Sequence, residues 1–336
     1  MANFMTSITQ AIGQTPLLRL DKIKKHFGFE GNIFAKLENM NPSSSKKDRI
    51  ALGMIEEAER KGFLKPGGVV LEMSSGNTGT GVAMVCSAKG YRLICVLSRG
   101  NSTERAKMIE AFGGELVYVD QAPNSKPGEV SGEDIELVEA EALRLVEETG
   151  AYFIDQFNNF DNALSQEAAA REMWEQSGGQ IEAFADFIGT GGTFTGYSRT
   201  LKGFDPNIKC YAVEPYECAH YKGEVVKGAT HRIQGGGYAK HMEIVDVSLI
   251  DGCITVTDNE AERMTRMLAK KEGIFAGFSS GTNLVAAIKQ LKGADAGKNF
   301  GIVINDCGLK YMSTNLYSEN KCKEDCNKCP LIEELQ

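Results

Sequence analysis

A chain of 336 residues with 42% hydrophobic and 24% charged side chains has ordinary globular composition and is long enough for two domains or one large α/β unit. Its 45 acidic residues outnumber 37 basic ones, for a formal net charge of -8, which argues against nucleic acid as a partner, because phosphate backbones are held by clustered Lys and Arg. No apolar run reaches the roughly 18 residues a membrane span needs and the N-terminus lacks a secretory apolar stretch, while nine cysteines scatter without the pattern of a disulfide framework; the expectation is a cytoplasmic chain that works on a small molecule, with no membrane partner.

Residues 33–37, 69–73, 93–97, 116–119, 184–188, 209–213 and 302–304 are short apolar or β-branched runs and read as strands, with longer helical patterns between many of them. A charged helix is predicted over 135–148, after a polar loop at 121–134. Alternation of this kind predicts an α/β fold, a doubly wound and mainly parallel sheet repeated in two halves, with the seam near 150–159. No solenoid period interrupts it.

Four segments carry the chemistry. Asn41-Pro42-Ser43-Ser44-Ser45-Lys46-Lys47-Asp48-Arg49 reads either as a solvated charged turn or as the site of a lysine amine that burial could turn into a carbonyl nucleophile. Ser74-Ser75-Gly76-Asn77-Thr78-Gly79 follows a strand and opens an apolar helix, so it is either a tight loop with Ser and Asn caps or a carboxylate or phosphate site at a helix N-terminus. Gly189-Thr190-Gly191-Gly192-Thr193 lets the backbone approach an anion closely while two hydroxyls donate, which suits a phosphate monoester. Neither a Walker lysine nor a dinucleotide fingerprint accompanies it. Gly277-Phe278-Ser279-Ser280-Gly281 again leads into a helix, with Ser279 either an N-cap or a neutral hydroxyl partner for a heterocycle.

In this order the segments resemble the fold-type II pyridoxal-phosphate enzymes, and most closely the cysteine synthase and cystathionine β-synthase family. Ile12-Gly13-Gln14-Thr15-Pro16-Leu17, Lys36-Leu37-Glu38, Asp306-Cys307-Gly308 and Tyr311-Met312-Ser313-Thr314 extend the likeness over about 300 residues. The resemblance implies two doubly wound domains of the tryptophan synthase β-subunit-like architecture. A smaller mobile domain at 41–152 would carry the substrate-carboxylate loop, and 13–40 with 153–318 would form the larger domain with the phosphate loop, followed by a Cys-containing tail at 319–336.

The resemblance also implies pyridoxal 5'-phosphate as cofactor. Lys47 then matches the lysine that forms the internal aldimine and moves the Cα proton. Gly189, Thr190, Gly191, Gly192 and Thr193 match the phosphate cup, Asn77 the residue beside the cofactor's 3'-oxygen, and Ser279 the partner of the pyridine nitrogen. Ser74, Ser75, Gly76, Thr78 and Gln156 match positions that hold the amino-acid carboxylate, and Gly235 to Gly237, Gly236 among them, a loop bordering the site. The implied reaction is β-replacement on O-acetylserine, serine, cysteine or a related amino acid through an α-aminoacrylate, with a thiol, sulfide or other nucleophile adding at Cβ in a homodimer. A β-eliminating lyase (cysteine desulfhydrase or serine/threonine dehydratase) and a cystathionine β-synthase are the alternatives.

The chain departs from the family pattern at Cys307, where Ser is usual, at the longer loop 121–134, at Lys46, which adds a cation beside Lys47, and in Tyr216 to Arg232 with His220 and His231. Metal is not expected at the main site. Cys322, Cys326 and Cys329 could give three thiolates to zinc or an iron–sulfur cluster, with no fourth ligand evident in the sequence.

Overall fold

The computed structural model describes residues 4–101, 103–125, 132–225 and 230–318. Strands among these residues are β1 (Leu17–Arg19), β2 (Asn32–Lys36), β3 (Val69–Glu72), β4 (Arg92–Ser98), β5 (Glu115–Val119), β6 (Tyr152–Phe153), β7 (Ala183–Phe187), β8 (Lys209–Pro215), β9 (Cys218–Ala219), β10 (Glu224–Val225), β11 (Gly252–Val256) and β12 (Asn299–Val303). The α-helices are α1 (Asp21–Phe27), α2 (Lys47–Lys61), α3 (Asn77–Lys89), α4 (Thr103–Ala111), α5 (Gly132–Thr149), α6 (Asp161–Leu164), α7 (Glu167–Gln176), α8 (Gly192–Phe204), α9 (Asp258–Met267) and α10 (Phe278–Leu291). The chain divides into two compact units, Met1–Ile12 with Asn41–Ser165 and Gly13–Met40 with Gln166–Gln336.

The first unit is built on a four-stranded sheet in the order β5-β4-β3-β6, parallel throughout. Strand β4 shows why its sequence reads as a continuous apolar run. Leu93, Cys95 and Leu97 pack with Ile50, Met54, Val82 and Val85 of α2 and α3, while Ile94 and Val96 pack with Val138 and Ala142 of α5. Side chains alternate between faces along a strand, so helices on both sides demand apolar residues at both phases.

The second unit carries a six-stranded sheet, β1-β2-β12-β7-β8-β11, parallel except for the edge pair β1 and β2. Ala183, Ala185, Phe187, Phe300 and Ile302 join one core with Leu284, Val285 and Ile288 of α10. Phe184 on β7 stacks on Tyr197 of α8 with ring centroids 4.9 Å apart. A short antiparallel pair, β9 with β10, lies outside this sheet.

The division falls at Ser165, later than the seam expected near 150–159 and beyond the expected domain limit at 152. Strand β6 pairs in parallel with β3, Ile154 N–H donates to the Leu71 carbonyl, and the Lys61 ammonium of α2 lies 2.6 Å from Asp161 of α6. These links hold 153–165 in the first unit, whereas the expectation assigned 153 onward to the larger domain.

The Thr15-Pro16 and Lys36-Leu37-Glu38 motifs prove to be partners in the second unit. Lys36 is wholly buried, with its ammonium 2.7 Å from Glu172 of α7, donating to the Thr15 carbonyl at 2.6 Å and to Gln176 Oε1 at 2.8 Å. Thr15 Oγ1 donates to Glu38 at 2.7 Å, and Leu37 N–H to the Pro16 carbonyl at 2.9 Å. Removing one member of a buried ion pair strands the other's charge. Lys36→Met is therefore expected to destabilise this unit by about 3 kcal/mol, with partial recovery in Lys36→Met/Glu172→Leu, as measured by urea unfolding.

Candidate active site

Helix α2 starts at Lys47 because the preceding loop folds around the next residue. Asp48, fully buried, accepts from Ser43 N–H at 2.6 Å and from the Ser43 hydroxyl, and Lys47 N–H donates to Ser45 Oγ at 3.1 Å. Ser44 adopts a left-handed conformation, φ 63°. Asp48 and Arg49 are thus buried, and the solvated-turn reading of Lys-Lys-Asp-Arg fails. Half-buried Lys47 directs Nζ to Gln156 Oε1 at 3.2 Å; Lys46, also half-buried, occupies the N-cap position.

Gln156 connects this lysine to the loop that follows β3. Its Oε1 also accepts from Thr78 Oγ1 at 2.7 Å, and its Nε2 donates to Glu72 Oε1 at 3.0 Å. Asp155, left-handed at φ 48°, turns the chain between β6 and Gln156, a conformation Asp tolerates better than most residues. In helix α3 Gly76 is the N-cap and no side chain caps it, which removes the reading of Ser and Asn as caps. Ser74 Oγ instead accepts from Gly76 N–H at 3.2 Å and the Thr80 hydroxyl donates to the Gly76 carbonyl at 3.1 Å, leaving Ser74, Ser75, Gly76 and Asn77 half-buried. The first N–H groups of α3 have no intrahelical acceptor and favour an anion. A side chain at Gly79 would run into the Ser74 carbonyl, so glycine is required for the loop to fold back on the helix.

Glu72 is a residue that pattern reading missed. It ends β3 with 1% exposure, and its Oε2 has no hydrogen-bond partner among the described residues. Burial pushes its carboxyl up to about 7, against the opposing pull of the Lys47 ammonium and of the Gln156 hydrogen bond. The only sequence signal is a carboxylate where an apolar strand meets a glycine loop.

In the second unit, β7 runs into Gly189–Thr193 and α8 begins at Gly192, with Gly191 at its N-cap in a left-handed conformation (φ 91°). A Cβ at Gly189 would lie 2.7 Å from the Gly235 carbonyl oxygen, and one at Gly191 would press on Val245. Gly237 N–H donates to the Ile188 carbonyl at 2.9 Å, which ties the 235–237 turn to the end of β7. Thr190 and Thr193 are buried beside the helix start. Glycines that the Gly235 and Val245 segments leave no room to replace, the helix-start N–H groups and two hydroxyls together fit a phosphate monoester.

Ser279 is not an N-cap; that position belongs to Gly277, where a Cβ would collide with Asp306 and Tyr311. Asn305, just beyond β12, donates from Nδ2 to Ser279 Oγ at 3.0 Å. Cys307, at the departure from the usual Ser, is half-buried and forms a backbone bridge with Ala276. His231 Nε2 lies 2.9 Å from the Gly237 carbonyl. Of the polar loop at 121–134, the Ala122 N–H is fixed to buried Asp134 at 2.7 Å. Among the described residues no cluster of three or more His, Cys, Asp or Glu could hold a metal and no helix is long and apolar enough to cross a membrane. Cys322, Cys326 and Cys329 lie outside the described residues.

The structure thus brings Lys47, Gln156, Thr78 and Glu72 into one hydrogen-bonded group in the first unit, and the glycine loop with Gly235–Gly237, and Ser279 with Asn305, in the second. A family model described as pyridoxal-phosphate dependent enzyme matches residues 8–307. A cysteine synthase of Staphylococcus aureus is 38% identical over 314 residues, covering 93% of this chain and 97% of that protein. A cystathionine beta-synthase of Apis mellifera is 37% identical over 325 residues; 94% of this chain is covered, but the match spans only 62% of that longer protein. The crystal structure of O-acetyl serine sulfhydrylase isoform 3 from Entamoeba histolytica superposes with a TM-score of 0.87 at 31% identity, covering 99% of this chain and 96% of that one.

The Glu72 carboxyl yields a pH test with a definite sign. A carboxyl raised from 4.5 to about 7 binds its proton more tightly folded than unfolded, so its contribution to stability is full below about pH 4.5 and is lost as pH rises to about 7. Lys47, Gln156, Asp155, the Met73 N–H and Cys95 are the groups that act on it. In cofactor-free protein, Glu72→Gln is expected to gain stability relative to the parent chain across that window, by up to about 3 kcal/mol, and to hold the gain at higher pH. Urea unfolding of both proteins at stepped pH measures it, and a difference that stays flat would contradict the assignment.

Proposed function

The chain belongs to the pyridoxal-phosphate dependent enzyme family, and we propose that it catalyses β-replacement on a small amino acid bearing a leaving group at Cβ, with sulfide or a thiol as the incoming nucleophile. One observation carries the reading. The Lys47 amine and the Thr78 hydroxyl donate to the same oxygen, Gln156 Oε1, at 3.2 and 2.7 Å, beside the N-terminal turn of α3. A base that moves a Cα proton has to lie next to the group that holds the α-carboxylate, because those two atoms of the substrate are bonded neighbours.

When bound, pyridoxal 5'-phosphate supplies a conjugated ring that withdraws electrons from Cα and so allows a Cβ substituent to depart. Lys47 is the amine that would hold the cofactor covalently, and its Nζ would serve as the general base for the Cα proton. Ser74, Ser75 and Thr78, with the first backbone N–H groups of α3, would orient the carboxylate at the positive end of that helix. Gln156 would add its amide to that site by turning an N–H toward the substrate, since its oxygen now faces Lys47 and Thr78. By the family resemblance, Gly189 through Thr193, with Gly235 and Gly236 beside them, would hold the phosphate, and Asn77 would lie beside the 3'-oxygen. Ser279 would offer the ring nitrogen a neutral hydroxyl, which does not hold a proton there as a carboxylate would.

O-acetylserine, serine and cysteine are the donors to compare, and a homodimer in the cytoplasm completes the proposal on the strength of the family resemblance. Borohydride reduction of the loaded protein followed by peptide mapping is expected to place the adduct on Lys47. Lys47→Ala should lower turnover by at least about 100-fold. Mass spectrometry of the products with and without sulfide is expected to give a new β-substituted amino acid; pyruvate and ammonia alone would instead identify elimination. An adduct on any other lysine would refute the assignment.

A further inference from the structure

Asn305 stands just past the end of β12, 4% exposed, and is fixed through its backbone as well as its side chain. Its backbone N–H donates to Ser280 Oγ at 2.9 Å, while Nδ2 donates to Ser279 Oγ at 3.0 Å. Gly277 N–H donates to the Asp306 carbonyl at 3.2 Å, and Asp306 Oδ2 accepts from Tyr311 Oη at 2.6 Å. The start of α10 is thereby laced to the residues after β12. Asn305 Oδ1, in contrast, has no hydrogen-bond partner among the described residues.

A serine hydroxyl has one hydrogen to give and lone pairs to receive with. With an amide N–H already donating to Ser279 Oγ, the hydroxyl proton is left to point elsewhere. Were the amide turned the other way, its oxygen would take that proton and Ser279 could only accept. The two orientations have opposite consequences for an aromatic ring nitrogen: a neutral nitrogen needs a donor, whereas a protonated one needs an acceptor. A buried amide oxygen without a partner costs about 1–3 kcal/mol, a cost consistent with a side chain retained for what its nitrogen does.

We propose that Asn305 is a positioning residue that fixes Ser279 as a hydrogen-bond donor toward the cofactor's ring nitrogen and so keeps that nitrogen unprotonated. The proposal rests on the reading of Ser279 as the ring-nitrogen partner and adds the residue that decides the direction of the bond. Asn305 acts through Ser279 and does not itself touch the reacting atoms.

The test uses the full chain and pyridoxal 5'-phosphate labelled with 15N in the ring. Titration of cofactor-free protein with this probe is expected to show affinity about tenfold lower for Asn305→Ala, the loss of roughly one oriented hydrogen bond. Ser279→Ala is expected to lose a similar factor, and the double variant should lose no more than either alone, because both changes remove the same bond. Asn305→Asp replaces the amide donor by an acceptor that captures the Ser279 proton, so the ring 15N resonance is expected to move toward the protonated position. Two results would overturn the proposal: losses that multiply in full in the double variant, or an Asn305→Asp resonance that coincides with that of the parent chain. Thermal unfolding of each cofactor-free variant checks folding, and the Ala and Asp variants report independently. If the parent chain itself takes up no cofactor, the site reading fails first and this proposal falls with it, an outcome separable from both others.

Discussion

Parallel pairing is the constraint on which each half of this protein depends. Strands that all run the same way bring all their carboxyl ends to one edge of the sheet, where the loops into the following helices collect. In the first unit that edge places Glu72 at the end of β3, the Ser74–Asn77 loop just beyond it, and Gln156 after β6, which lies directly beside β3. In the second, the same rule places the Gly189–Thr193 loop after β7 and Asn305 after β12, again neighbouring strands. The polar groups that could act on a ligand are thus gathered by backbone hydrogen bonding, and the helices that cover both sheet faces supply the apolar burial that holds them there.

The polar groups at these edges are costly to place, and the structure meets the cost unevenly. Around Lys47 the hydrogen bonds are dense: Asp48 secures the approach loop, and one amide, Gln156, links three side chains. Yet Glu72 Oε2 and Asn305 Oδ1 remain without partners among the described residues. Most buried polar atoms in folded proteins are satisfied, and these two belong to segments at the carboxyl edges of the sheets. The Lys36 cluster is the contrasting case, a buried cation whose described neighbours include a carboxylate and two carbonyl-type acceptors. It welds β2 to α7 and to the Thr15 segment, and its function is architectural.

Much of this was readable from the chain. The apolar runs at 69–73, 93–97 and 184–188 became β3, β4 and β7 to within a residue or two, and the glycine-rich loops became the starts of α3, α8 and α10, because a strand buried on both faces and a turn requiring glycine each leave a local mark. Edge strands left weaker marks: β1 and β6, three and two residues long, gave no periodicity to recognise. The placement of 153–165 with the first unit was invisible for a related reason, since it depends on β6 pairing with β3 and on the Lys61–Asp161 ion pair, a hundred residues apart in sequence.

The amino-acid order by itself determined the fold class and the strand-to-helix turns, because those depend on residue type and spacing within a few positions. Tertiary structure alone decided that Asp48 is a buried anchor instead of a surface charge, that Gln156 faces Lys47 and Thr78, that Glu72 is a buried acid, and that Asn305 holds Ser279. Each of these is a directional hydrogen bond or a desolvation between segments distant in the chain, and neither the direction nor the exclusion of water exists until the strands have paired and the helices have closed over them.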